Sequence, residues 1–231
     1  MLQLIGLLAI SWLIIWLFEK GNLSVLGFSP TRDRLKYFSI LFIVSAILSG
    51  TAFLLRMYFA KEEYTITPSL TTGSVLLEVW YQFRTVLTEE LLCRGVLLYI
   101  LIKKLGQVKA VIISSVLFAM LHWINAGVWG NPTQMTIVFA FTFSMGLLLA
   151  YSYARTFSLL IPFAIHFGWN LAQNYIFPGT ATGCHILTLA ATPPTVTVSY
   201  FAFFTMLLLP KIAVLAIDYL IIRRHRQVEV P

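Results

Sequence analysis

"FSILFIVSAILSGTAFLL", Phe38–Leu55, runs for 18 residues without a charge or a proline. A bilayer hydrocarbon core of about 30 Å needs roughly 20 apolar residues in an α-helix. Leu2–Phe18, Thr136–Ala154 and Phe157–Phe177 are runs of the same kind, free of Asp, Glu, Lys and Arg. Val108–Ile124 is a shorter candidate beside Lys103, Lys104 and Lys109, and Val75–Ile102 is long enough but carries five charges. The last candidate, Val196–Ile222, contains Pro210 and Lys211. It reads either as one kinked span or as a span ending at Leu209 with an amphipathic tail.

Composition agrees. Of 231 residues, 59% are hydrophobic and 11% charged, where about a quarter are charged in soluble domains. Mean hydropathy is +0.85. The expected fold is all-α: a polytopic transmembrane helical bundle of about seven spans. Residues 1–231 are expected to form one integral membrane domain, with a motif-bearing core at about 75–177. Met1–Gly6 lacks a basic n-region and no Ala-x-Ala pattern follows Phe18, so the first run is read as a retained helix.

Lys and Arg in the connections set the orientation. Alternate segments carry Lys20, Arg32, Arg34 and Lys36; Lys103, Lys104 and Lys109; Arg155; and Arg223, Arg224 and Arg226. The intervening ones carry Arg56 and Lys61, offset by Glu62 and Glu63, and then no Lys or Arg in Asn125–Gln134 and Pro178–Thr195. The N-terminus is therefore expected outside and the C-terminus in the cytoplasm. The net charge of +7 reads as topology and contact with anionic lipid. No basic patch on a soluble face points to nucleic acid. Cys93 and Cys184 are too few for a disulfide framework and are expected on different levels.

"TVLTEELLCRG", Thr85–Gly95, places Glu89, Glu90 and Arg94 within a candidate span. A helix-centre charge costs about 2.5–3.5 kcal/mol or more, so each needs a reason. At 1.5 Å per residue, Glu89 lies about 20 Å inward from Ile102, and His122 about 20 Å from Lys109. Counting from Arg155, His166 lies about 17 Å and Asn170 about 22 Å inward. Three helices thus bring a carboxylate, two imidazoles and an amide to one level. Glu90 and Arg94 are spaced i, i+4 for an ion pair, as His166 and Asn170 are for a shared face. Glu89 is rotated about 100° from Glu90 and faces something else. A buried carboxylate near an imidazole suits a general base, and an amide with a second imidazole suits a developing oxyanion.

"EELLCR", "FAMLH" and "HFGWN" resemble, in order, the EExxxR, FxxxH and HxxxN motifs of the CPBP family. That family comprises the CAAX prenyl endopeptidases and bacterial intramembrane proteases of the bacteriocin-processing, or Abi, kind. The resemblance covers about 80 residues, Glu89 to Asn170. It implies an all-helical intramembrane endopeptidase, with Glu89 and His122 activating the hydrolytic water. His166 and Asn170 would stabilise the oxyanion, and Glu90 and Arg94 would support the site.

Two other classes compete. Glu89, His122 and His166 form a His₂Glu set that zinc hydrolases use, although H-E-x-x-H does not occur. No cofactor is expected, with zinc the alternative. The polar cluster could also serve a non-catalytic immunity or transport protein, but no second copy of a motif supports an inverted repeat. The expected partners are a peptide or membrane-protein substrate and the lipid bilayer, and the expected location is a bacterial inner membrane. Cys93 reads as a packing residue, Glu78 and Arg84 as partly solvated near the outer end of their span, and Trp80, Trp123 and Trp129 as interfacial belt residues.

Overall fold

A computed structural model describes residues 2–177, 185–191, 195–225 and 227–228; Cys184 and Arg226 lie outside them. The chain is mainly helical: α1 (Leu2–Glu19), α2 (Arg32–Phe59), α3 (Thr72–Arg94), α4 (Val96–Leu105), α5 (Gln107–Leu121), α6 (Pro132–Thr156), α7 (Leu160–Leu171) and α8 (Tyr200–Arg223). Among the described residues, four stretches are long and apolar enough to cross a membrane: Arg32–Phe59, Gln107–Ile124, Pro132–Thr156 and Tyr200–Arg223. Leu4–Glu19 is a shorter apolar helix.

These helices turn large apolar side chains outward. Ile47, Leu54, Leu77 and Phe201 are all more than half exposed. Ser45, Ser49, Ser114, Ser115 and Ser152 are fully buried. Small polar residues between helices and apolar ones outside suit a lipid solvent, where packing and hydrogen bonds rather than hydrophobicity join helices. The protein is an integral membrane protein built as a helical bundle.

Val75–Ile102 is not one helix. It breaks at Gly95 into α3 and α4, because Gly95 adopts φ −73°, ψ −135°. A Cβ there would lie 2.2 Å from the Leu91 carbonyl oxygen, so only glycine allows this close approach. The break leaves carbonyls of the last α3 turn without intrahelical donors, and Ser114 Oγ donates to that of Cys93 at 2.8 Å. Pro210, by contrast, sits inside a continuous α8. The all-α expectation holds, and the connections add one short ribbon in which β1 (Tyr64–Ile66) and β2 (Leu187–Leu189) pair antiparallel, with Thr65 opposite Thr188.

The chain forms two compact units. The first comprises residues 1–38, 86–163 and 219–231. Its apolar core gathers Ile15, Leu26, Leu98, Tyr99, Tyr153 and Leu159. At one end, connecting segments bond to each other. Leu159 N–H donates to Leu26 O at 2.9 Å and Ser158 Oγ to Gly27 O at 2.9 Å. Arg155 Nε donates to His225 O at 3.0 Å and its Nη2 to Arg223 O at 2.8 Å. Lys103 pairs with Glu19.

The second unit comprises residues 39–85 and 164–218. Phe53 stacks on Phe177 with centroids 4.0 Å apart, and Tyr64 meets Phe177 edge-on. Ser49 Oγ donates to Trp169 O at 2.9 Å and Gln173 Nε2 to Ser49 O at 3.2 Å, tying α2 to α7 and the π-helical turn Ala172–Ile176 after it. Glu78 is buried rather than partly solvated, and accepts from Gln82 Nε2 at 2.8 Å. The reason is spacing: Glu78 and Gln82 are one helical turn apart and satisfy each other.

Candidate active site

The first unit holds two of the three motifs. Glu90 and Arg94 occupy successive turns of α3, and Arg94 Nη1 donates to Glu90 Oε1 at 3.0 Å with both side chains wholly buried. A buried pair of this kind is strongly destabilised when one partner is lost, because a bare charge then remains. The Arg94 guanidinium also lies 3.9 Å from the Phe118 ring centroid. A cation over an aromatic face in a desolvated place contributes about 2 kcal/mol.

Phe118 supports a second group as well. Helix α5 ends at Leu121, and a 3₁₀ turn, His122–Ile124, follows it. The tightened turn directs the His122 backbone N–H to Ala119 O and Met120 O. The Phe118 carbonyl therefore takes its hydrogen bond from His122 Nδ1, at 2.8 Å. A carbonyl oxygen only accepts, so the proton of a neutral His122 sits on Nδ1 and the lone pair on Nε2. The Phe118 ring meets the imidazole edge-on, with centroids 4.5 Å apart.

His122 Nε2 lies 4.0 Å from Glu89 Oε2. That exceeds hydrogen-bond length. Glu89 retains 28% side-chain exposure and His122 21%, whereas Glu90 and Arg94 have none. The α3 carboxylates thus differ: Glu90 is sealed against Arg94, and Glu89 stands accessible beside an imidazole. Cys93 is buried among these residues.

His166 and Asn170 lie on α7 in the second unit, one turn apart. Asn170 Nδ2 is 3.3 Å from His166 Nε2. With the amide donating, His166 carries its hydrogen on Nδ1 and Asn170 keeps a second amide hydrogen to give. Between the pair lies Gly168, where a Cβ would be 2.4 Å from the Phe42 carbonyl oxygen. Phe167 packs on Phe42 and edge-on against Phe83. The structure therefore joins the expected residues as Glu89 with His122, Glu90 with Arg94, and His166 with Asn170. Among the described residues, no group of three or more His, Cys, Asp or Glu is placed to hold a metal ion. His185 Nδ1 bonds to the Asn174 carbonyl at 3.3 Å.

Sequence reasoning missed Phe118 as a support of the site. Its signal was the shared i, i+4 spacing with His122, which gives proximity but not the stacking on Arg94. It also missed Gly95 and Gly168, whose close approaches depend on backbones that pattern alone does not locate.

Residues 71–172 match the family described as type II CAAX prenyl endopeptidase, Rce1-like. The segment takes in all three motifs, and the match supports the family of CAAX, or CPBP, intramembrane proteases. Similarity to that family supports a membrane peptidase of the CAAX class. No curated protein and no solved structure matches the chain.

Proposed function

We propose that the protein is a glutamate-dependent intramembrane endopeptidase in which Glu89 and His122 activate a water. The carrying observation is the 4.0 Å separation of Glu89 Oε2 and His122 Nε2, with His122 Nδ1 already committed to Phe118. Both facing atoms are acceptors. One water about 2.8 Å from each fits that separation and could donate to both. Glu89 takes a proton as the water oxygen attacks the substrate carbonyl carbon, and returns it to the leaving amine when the C–N bond breaks. The spare amide hydrogen of Asn170, with His166, stabilises the oxyanion. Joint action of the two pairs rests on their common depth, counted along the sequence. Glu90 and Arg94 hold the end of α3.

The proposed topology has seven spans, taking α3 with α4 as one and α7 with the π-helical turn after it as another. The N-terminus lies outside and the C-terminus in the cytoplasm. Two sets of contacts support it. The connection after α1, the connection after α6 and the end of α8 bond to each other, and all are basic segments of one predicted side. The connections holding β1 and β2, assigned to the opposite side, pair with each other. The proposed substrate is a peptide or membrane-anchored polypeptide cut near its terminus, in a bacterial cytoplasmic membrane.

The test is cleavage of a quenched-fluorescent peptide library, with and without a farnesylated cysteine, by detergent-purified protein. Glu89→Gln is run beside it, with metal content determined on both. Cleavage lost in the variant, without stoichiometric metal in the wild type, supports the proposal. Activity that tracks one bound zinc supports the metal reading on Glu89, His122 and His166. A folded wild type that cleaves nothing favours a non-catalytic immunity or transport role.

A further inference from the structure

Asp218 lies in α8, within a membrane-spanning stretch, and none of the three motifs uses it. Its side chain is wholly buried. Ser45 Oγ of α2 donates to Asp218 Oδ2 at 2.7 Å, and Oδ1 has no hydrogen-bond partner among the described residues. An ionisable residue inside a span is costly and marks a function by default. Apolar packing often replaces a buried polar contact without loss, so joining α8 to α2 does not by itself require this carboxyl. Its use lies in what else α2 holds.

Phe42, Ser45 and Ser49 fall at i, i+3 and i+7, one face of α2. The outer two both grip α7. The Phe42 carbonyl closes on Gly168, where a Cβ would lie 2.4 Å from its oxygen, and the Phe42 ring packs on Phe167. Ser49 Oγ donates to Trp169 O at 2.9 Å. Ser45 thus stands between the two contacts that hold residues 167–169, and these residues lie between His166 and Asn170. All of these groups belong to the second unit.

A serine hydroxyl inside a helix has another acceptor, the carbonyl four residues earlier, and that bond bends helices. For Ser45 it is the Leu41 carbonyl. We propose that Asp218 is a positioning residue for the His166–Asn170 pair, holding the Ser45 hydroxyl so that α2 stays straight between its two grips on α7. The inference rests on the oxyanion role proposed for that pair. A misplacement of about 1 Å in such a group costs as much as about 10²-fold in rate.

The experiment compares wild type, Asp218→Asn, Asp218→Leu, Asp218→Ala and the double variant Asp218→Leu with Ser45→Ala, each as the full chain in detergent. Two quantities are read: peptide turnover per folded molecule, and the nitrogen resonance of His166 Nε2 in isotopically labelled protein, assigned with His166→Gln. Asp218→Asn keeps an oxygen for Ser45 and should stay near wild type in both. Asp218→Leu should lower kcat by about 10–10²-fold with KM little changed, since the oxyanion contact is made in the transition state. Its His166 resonance should move toward that of Asn170→Ala. Asp218→Ala should do the same without added bulk, which covers an Asp218→Leu that does not fold. Removing the Ser45 hydroxyl as well should restore most of the loss, which a merely structural role for Asp218 does not predict. Folded Asp218→Leu and Asp218→Ala with wild-type kcat and resonance would overturn the proposal, and so would a double variant no better than Asp218→Leu. Resonances in the expected order, in proteins of which none cleaves peptide, would keep Asp218 as the positioning residue of the pair and reject the catalytic reading instead.

Discussion

The guanidinium of Arg94 lies 3.9 Å from the ring centroid of Phe118, and this contact joins the EELLCR segment of α3 to the FAMLH segment of α5. Arg94 neutralises Glu90 on one side and caps the aromatic face on the other. The same Phe118 offers its carbonyl to His122 Nδ1. An ion pair that looks remote from chemistry thus holds the imidazole that faces Glu89.

Arg94→Lys should therefore not be a mild change. Lysine keeps the charge but loses the planar group that stacks on Phe118 and donates to Glu90. The expected cost is about 1–3 kcal/mol for Arg94→Lys and about 3–5 kcal/mol for Arg94→Ala, which leaves Glu90 buried without its cation. Thermal unfolding in detergent checks the order.

Gly168→Ala should destabilise by about 1–3 kcal/mol, because the new methyl meets the Phe42 carbonyl and α7 must move from α2. His166 and Asn170 flank that position. Turnover should therefore fall more than stability alone explains, read as kcat per folded molecule at a temperature well below the transition. Gly95→Ala, whose Cβ would strike the Leu91 carbonyl, should do the same through α3.

Tyr64 lies in the loop between α2 and α3. Partial burial raises its hydroxyl pKa above the ordinary tyrosine value, and the hydrogen bond to Glu62 adds to the shift. Raised in the fold, it contributes stability that is complete below the unfolded tyrosine pKa of about 10 and is lost as pH climbs through the higher folded value. An ultraviolet titration should show an ionisation above the ordinary range that Tyr64→Phe removes. Exchange protection of the β1–β2 ribbon should fall in the wild type over that alkaline window.

The sequence carried much of this because bilayer physics leaves few choices. Uncharged runs of about 20 residues become helices, and i, i+4 spacing paired Glu90 with Arg94 and set His166 beside Asn170. The depth count put Glu89 and His122 on one level, and they lie 4.0 Å apart. What stayed hidden depended on how backbones meet. The apolar pattern of Val75–Ile102 runs on through Gly95, and only the Leu91 carbonyl beside it reveals the break. Pro210 could either stop or bend a helix by local chemistry, and the continuous α8 shows that packing decides. The short strands sit in loops, where three residues carry no period. Glu78 looked solvated because its partner Gln82 is a neutral residue that a search for charges passes over.

The most direct measurement sets Glu89→Gln beside Glu90→Gln, comparing peptide turnover per folded molecule in vesicles with the unfolding temperature of each. Glu89→Gln should lose about 10²–10⁴-fold in kcat, the range of a missing general base, while unfolding close to wild type. Glu90→Gln should unfold at a markedly lower temperature, yet keep turnover within about tenfold once corrected for folded protein. A folded Glu90→Gln that is inactive, beside a Glu89→Gln that still turns over, would contradict the assignment of the water-activating carboxylate.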